Sequence, residues 1–502
     1  MNLMSGEFFL FLCLTLVLYY LFPRAQKYIL LTASLMFFLK ASAVSKPLMC
    51  LLMAYIFFVT YLGAIAIEKT EGWKKDVYSL VSIIGLVATL FILKYAFNMG
   101  ELFLSLLQMD TNLSWLDFVP IMGLSYFVLS AIGYLLDVRW QTCSAERNPT
   151  TVALFLYYFP QLISGPVTRF TAMREQFARR FSLQYENIEY GLRRMLWGYF
   201  KKLVISERFA MVVTTVYASP ESYGGMDFVL TTLCYAIQLY TDFSGCMDIV
   251  LGASALFGVR LPENFRAPFF SRSLQEFWQR WHITLGLWFK DYVMYPIQIS
   301  APMVALGRMC KKRWGKKAGK KIPFYLSMIV LWFLIGVWHG CTAYYFVAAA
   351  LVPCTLLILS DGISALTVKW PSCLRLESDN IFVAYIQRVR TLLLICICWV
   401  FVCAGSVSAG ISVFVNMVSN FSASHFYDIL NTTGIDGEKA VFMFLCLMLL
   451  VFAEYLENKG SSIQRFMDGR HYLFRIGAIY LVVFLILGTG MIGKSTFIYF
   501  QF

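Results

Sequence analysis

The stretch that decides the fold reads Leu261-Pro-Glu-Asn264-Phe-Arg-Ala-Pro-Phe-Phe270, then Ser273-Leu-Gln-Glu276-Phe-Trp-Gln-Arg280-Trp-His282. An apolar run follows from Ile283 and closes at Asp291-Tyr292 and Tyr295-Pro296, and a short second piece, Val337-Trp338-His339-Gly340, completes it. Ser273 and Glu276 have the spacing of a capping box, in which hydroxyl and carboxylate satisfy orphan amide donors at a helix start. Leu274, Phe277, Trp278 and Trp281 recur at i, i+3, i+4 and i+7, one apolar stripe of a helix. Glu276 and Arg280 stand four apart in the favourable order for an ion pair. From Ser273 onward the segment is therefore expected to be locally helical. A Trp-dense amphipathic helix beside a long apolar run reads as an element at a membrane interface. His282 is expected where that helix meets the apolar phase.

Composition points the same way. The chain has 502 residues, of which 59% are hydrophobic and 14% charged, with a mean hydropathy of +0.67. Soluble domains carry about 25% charged residues, and apolar runs of the about 20 residues needed to cross a bilayer recur from end to end. These features predict an all-α polytopic membrane protein with roughly eleven transmembrane helices. The net charge of +13 sits in short segments between apolar runs, the pattern of cytoplasmic Lys and Arg. Arg308 to Lys321 is the clearest, with Arg308, Lys311, Lys312, Arg313, Lys316, Lys317, Lys320 and Lys321 and no acid. It is read as a cytoplasmic loop able to touch anionic lipid; a nucleic-acid patch is the disfavoured alternative. The 13 Cys are scattered without a C-x-x-C pair, so they read as small membrane hydrophobes rather than metal ligands or disulfides.

In chain order, the first apolar run, Phe8 to Leu21, lacks a preceding basic region and a cleavage site and reads as a retained helix. Basic residues after the first and third runs place the N-terminus outside. Glu101 to Leu116 is too polar to span. Thr151 to Thr168 ends Pro160-Gln161-Leu-Ile-Ser164-Gly165-Pro166, where prolines and a glycine bracket polar residues; a re-entrant segment is expected, a kinked span being the alternative. Arg169 to Arg208, with Lys201 and Lys202, reads as cytoplasmic amphipathic helices. Tyr235 to Gly245 sets Gln238, Asp242 and Ser244 in apolar surroundings, and intramembrane ionisable residues tend to face a bundle interior or a substrate path. A span from Pro323 carries His339, a polar connector covers Asp379 to Arg390, and further spans are expected over about 391–415, 440–453 and 476–491. The organisation is one integral membrane domain over 1–502, with peripheral helices in 1–150, a core in 151–366 and C-terminal helices with a terminal tail in 367–502.

Four His are present. His425 and His471 lie in polar connectors and need no special explanation. His282 and His339 each adjoin Trp in a membrane setting, where a neutral imidazole can take a proton from a hydroxyl; an interfacial His bonded to a backbone carbonyl is the alternative. Gly488-Thr-Gly-Met-Ile-Gly493-Lys494-Ser495 matches the P-loop wording but not its strand-to-helix context. No G-x-S-x-G or H-E-x-x-H occurs, which removes the nucleophile elbow and the zincin metal site.

Taken together, Tyr235 to Gly245, Arg260 to Pro296, Pro160 to Pro166 and Trp338-His339-Gly340 resemble the membrane-bound O-acyltransferases (MBOAT), in particular the bacterial branch of the alginate O-acetylation membrane protein. The resemblance implies a ring of helices around a central tunnel, with re-entrant and amphipathic cytoplasmic helices. It makes His339 the catalytic histidine and His282 its supporting partner. Asp242, Ser244, Gln238, Trp338 and Trp281 become candidates for the tunnel, as do Asn264, Arg280, Gln161 and Ser164. No tightly bound cofactor is expected; the donor substrate would be acetyl-CoA or the thioester of an acyl carrier. The implied partners are a cytoplasmic acyl carrier protein, an extracytoplasmic acetyltransferase that finishes transfer to a polysaccharide, and the lipid bilayer, with no nucleic acid. The implied location is the plasma membrane. A sibling branch exports D-alanine for teichoic acids. The terminal Phe497-Ile-Tyr499-Phe-Gln-Phe502 resembles a tail motif of the acetylation branch and makes Tyr499 a candidate acyl relay, an aromatic-belt terminus being the alternative. One departure stands out: Cys341-Thr-Ala-Tyr344-Tyr345 follows His339-Gly340 where alginate-type members more often carry an Ala-Trp pattern. A transporter of an acylated molecule is the rival from another class, although no paired broken helices or repeat are seen.

Overall fold

A computed structural model describes residues 2–41, 46–106, 123–162, 165–340, 342–367, 380–422 and 425–491. Among them every regular element is helical, and a lone antiparallel bridge joins Phe265 to Trp281. Among the described residues seven helices are long and apolar enough to cross a membrane: Lys46–Lys69, Gly72–Lys94, Ala301–His339, Ala343–Gly362, Ile381–Ala404, Gly437–Asn458 and Tyr472–Thr489. Gly6–Leu21 and Val407–Ser419 are shorter apolar helices. Leu10, Val17, Leu51, Val81 and Phe484 point large apolar side chains outward, as helices solvated by lipid must. The protein is an all-α polytopic membrane protein.

The chain forms two compact units. The first comprises Met1–Tyr199 and Cys246–Pro262. Within it, Lys46–Lys69 packs on Gly72–Leu106 and Leu124–Arg139, and Gln26–Ala41 on Pro149–Tyr157. Gly191 and Gly252 let two backbones meet: a Cβ on Gly191 would lie 2.7 Å from the Gly252 carbonyl oxygen, and one on Gly252 would lie 2.5 Å from that of Gly191. Buried tyrosines bond backbone carbonyls, Tyr19 to Phe257 at 3.1 Å and Tyr199 to Leu3 at 2.9 Å, which keeps a polar tip satisfied away from water. The Pro160 region forms Pro149–Tyr157, capped by Asn148, and then a single turn, Phe159–Leu162. Pro160 sits in that first turn, where its missing N–H leaves no bond unmade.

The second unit comprises Phe200–Gly245 and Glu263–Met491. Here four sequence expectations change. The basic stretch Arg308 to Lys321 is not a loop but part of Ala301–His339, two helices that meet at Gly315 (φ 87°). The connector at 379–390 is helical from Ile381, with Asn380 Oδ1 accepting from Phe382 N at 2.8 Å. The span expected over 391–415 is broken at Gly405 (φ 67°), after which Ser406 caps Val407–Ser419. Lys201 and Lys202, expected on solvated amphipathic helices, lie buried in a π-helical stretch, Phe200–Ser206. The polar stretch from Glu101 lies beyond the described residues after Leu106, as do Ser164, Cys341 and the tail with Tyr499.

Candidate functional site: a buried histidine held in a left-handed turn

The helix that begins at Ser273 starts as its sequence dictates. Ser273 Oγ accepts from Glu276 N at 3.2 Å, while the Glu276 carboxylate reaches back to Arg272 N at 2.7 Å, one residue earlier than the standard box. Arg280 donates to Glu276 at 2.5 Å, to Asn458 Oδ1 at 2.8 Å and to the Ala267 carbonyl at 3.3 Å. The predicted ion pair is there, and its arginine is held by three partners within the fold.

The helix then stops at Arg280 instead of continuing. Trp281 is extended and His282 turns left-handed at φ 47°, ψ 50°, before Ile283–Phe289 begins. Few non-glycine residues adopt such angles, and those that do are held by their surroundings. Two backbone hydrogen bonds close round the turn, Arg266 N to Arg280 O at 3.0 Å and Ile283 N to Asn264 O at 2.9 Å. Asn264 does more: its Oδ1 accepts from Thr284 N at 3.0 Å and from Thr284 Oγ1 at 2.9 Å, and faces His282 Nδ1 at 3.3 Å. It thus caps the second helix from outside, because His282 at the cap position makes no side-chain cap bond.

The imidazole of His282 is buried. The Phe243 ring meets it edge-on at 4.8 Å between centroids, and Trp338 lies at 6.3 Å. Trp338 in turn packs edge-on against His339 at 4.9 Å. Both histidines and the indole between them therefore belong to one compact unit. His282 lies outside the seven membrane-length helices; burial pushes its pKa well below the ordinary imidazole value, and His339 adds to the effect. A neutral ring can accept a proton. Trp281 stacks on Phe277 at 5.5 Å and meets Phe265 at 5.0 Å and Trp399 at 5.4 Å, an aromatic wall behind the turn.

The polar residues of Gly225–Leu256 are engaged with partners that sequence reading missed. Asp242 is fully buried and bonds the Lys202 ammonium, which also pairs with Glu207 at 2.6 Å. Lys201 donates to Ser244 Oγ at 3.0 Å and lies 5.8 Å above the Tyr240 ring, whose hydroxyl donates to Glu454. The Gln238 backbone carbonyl accepts from Ser206 Oγ at 3.2 Å. One signal was available: apolar residues flank Lys201-Lys202 on both sides, and Glu454 extends an apolar run by one residue past where the expected span stopped. In the first unit, Gln161 Nε2 donates to Thr168 Oγ1 at 2.7 Å and to the Pro166 carbonyl at 3.2 Å. Of the other histidines, His425 lies 3.5 Å from Asp227, and His471 Nδ1 accepts from Leu473 N at 3.3 Å.

Fold and site define a class: a polytopic helical membrane protein with a buried, neutral histidine fixed at a strained turn. Residues 147–302 match the model of MBOAT, the membrane-bound O-acyltransferase family. The match contains His282 and ends before His339. A probable alginate O-acetylase, AlgI, of Azotobacter vinelandii is 32% identical over 66% of this chain and 63% of its own length. A peptidoglycan O-acetyltransferase of Helicobacter pylori is 30% identical over 63% of this chain and 61% of its own. A teichoic acid D-alanyltransferase of Streptococcus thermophilus is 30% identical over 45% and 53%. The chain spans between 40% and 63% of the length of the alginate O-acetylases that it matches.

Proposed function

We propose that the chain is a membrane O-acyltransferase that takes an acyl group, most simply acetyl, from a cytoplasmic thioester and passes it across the plasma membrane for O-acetylation of a cell-wall or exported polysaccharide. The observation that carries this reading is the pairing of His282 with Trp338-His339 in one unit, His282 lying in the family segment. In the reaction, the acceptor hydroxyl gives its proton to the His339 imidazole as its oxygen bonds the thioester carbonyl carbon. Collapse of the tetrahedral intermediate breaks the C–S bond, and the leaving thiolate takes the proton from the imidazolium to depart as free thiol. His282 orients the donor or the base. The wall of Trp281, Phe277 and Phe265 keeps the neighbourhood apolar, which strengthens the polar interactions inside it.

The donor is acetyl-CoA or an acyl-carrier thioester, both anionic, and the basic segment around Arg308 to Lys321 faces the cytoplasm to receive it, with the N-terminus outside. An extracytoplasmic acetyltransferase completes delivery, with Tyr499 as a relay whose phenol oxygen carries the acyl group between the two. The match to a D-alanyltransferase favours a second reading, in which the acyl group is D-alanine and the polymer a teichoic acid. Ester-linked acyl groups released by mild alkali from purified cell-wall and exported polysaccharide separate the two. Cells carrying His339→Ala are expected to lose acetate from one polymer. Loss of D-alanine instead would select the second reading, and no change in either would contradict both.

A further inference from the structure

The contacts of Asn264 fix more than the backbone. Its Oδ1 receives the Thr284 backbone N–H, a donor that cannot be turned round, so the atom at this position is the carbonyl oxygen and not the amide nitrogen. An oxygen facing His282 Nδ1 at 3.3 Å requires a proton on that nitrogen, because two acceptors would repel. In a neutral imidazole one nitrogen carries the proton and the other keeps its lone pair. We infer that Asn264 is a positioning residue that locks His282 in the Nδ1–H tautomer, so that Nε2 is the hydrogen-bond acceptor with which His282 orients the donor or the base in acyl transfer.

The inference rests on the acyltransferase reading for its consequence, but the tautomer itself follows from geometry. The lock is stiff, since the same oxygen that reads Nδ1 also caps Ile283–Phe289 and so cannot move without uncapping that helix. The groups that face the ring can be named element by element. From Gly225–Leu256 it meets the uncharged Phe243, whose neighbour Asp242 is held by Lys202. From Ala301–His339 it meets the indole of Trp338, with His339 the titratable group that bears on it. From its own segment, Arg280 and Glu276 are paired with each other. Groups that orient a metal-ligating histidine through its other ring nitrogen are typically worth about 10- to 100-fold in metal affinity or activity, and an effect at the lower end of that range is expected here.

Two measurements test it. The first is the pH profile of kcat/KM for thiol release by the full-length protein in vesicles. Asn264→Asp keeps an oxygen for Thr284 and for Nδ1–H but adds a negative charge that favours the imidazolium. His282, needed as the neutral ring, then stays protonated to higher pH, and the acidic limb is expected to move up by about one unit or more. Asn264→Leu removes the acceptor and is expected to lower kcat about tenfold with KM little changed. If Asn264 only caps the helix, Asn264→Asp will have the wild-type profile, which overturns the inference. The second needs no substitution at Asn264: nitrogen NMR of ring-labelled histidine in the wild-type protein, with the His282 signal assigned by its loss in His282→Gln. A proton on Nδ1 is expected, and a proton on Nε2 overturns the inference. If the wild-type protein released no thiol, the functional reading would fail while the tautomer result stood by itself.

Discussion

A left-handed conformation at His282 costs about 1–3 kcal/mol, and the residues around it show what holds it there. Asn264 is 18 residues upstream, so no local pattern could announce that the helix from Ser273 would stop at Arg280. What was legible in this stretch was local: the Ser273 cap and the Glu276–Arg280 pair lie within one turn of each other. The buried ion pairs were invisible for the same reason as the turn. Lys202 meets Asp242 forty residues further on, and only tertiary packing turns a basic dipeptide inward. Removing one partner of a buried pair leaves the other's charge uncompensated, at a cost of about 3–5 kcal/mol. Lys202→Met strands both Asp242 and Glu207, whereas Asp242→Asn leaves Glu207 to hold the ammonium. Thermal unfolding in detergent is expected to rank Lys202→Met well below Asp242→Asn, with the wild type highest; equal midpoints for the two variants would contradict the network.

At the scale of elements, the basic segment shows how a charge pattern can be read correctly and its conformation missed. Lys, Arg and Ala are good helix formers, so a solvated basic stretch need not be a loop. Only Gly315 departs from helical angles, and a Cβ there would meet nothing within 4 Å. The two arms close on each other through Gly307 and Gly319: a Cβ on Gly319 would lie 2.8 Å from the Gly307 carbonyl oxygen. Lys311, Lys312, Lys316 and Lys317 stay exposed on this hairpin, and Arg313 lies over Trp314 at 5.6 Å. Such a surface attracts an anionic donor over about a Debye length, 8–10 Å at ordinary ionic strength. Reversing those four lysines together to Glu is expected to raise KM for the thioester several-fold at low salt, with kcat nearly unchanged. A KM equal to wild type at low salt would contradict steering by the hairpin.

For the whole molecule, composition announced the solvent and the helical class before any contact was known, because a chain with 14% charged residues cannot clothe itself for water. The number and limits of the spans were less legible. Gly6–Leu21 has 16 residues and Val407–Ser419 has 13, short of the about 20 that cross a bilayer upright, and Gly225–Leu256 runs for 32 residues with its polar groups turned onto Lys201 and Lys202. Apolar runs mark where helices form, while packing decides which of them are buried. The neighbourhood of His282 followed the same division: Asn264 was singled out as a tunnel candidate, but its contact with His282 Nδ1 was not legible. The most direct test of the central claim uses the full-length protein in sealed vesicles, supplied with an acyl thioester on the face that exposes the basic hairpin and, on the other, a polysaccharide acceptor together with the extracytoplasmic acetyltransferase that completes delivery. Thioester hydrolysis without enzyme sets the background, and melting in detergent confirms that His339→Ala is folded. Free thiol released in step with ester formed on the acceptor, and lost in His339→Ala, is the predicted result; an intact thioester with wild-type protein, or equal release by the variant, would contradict the account.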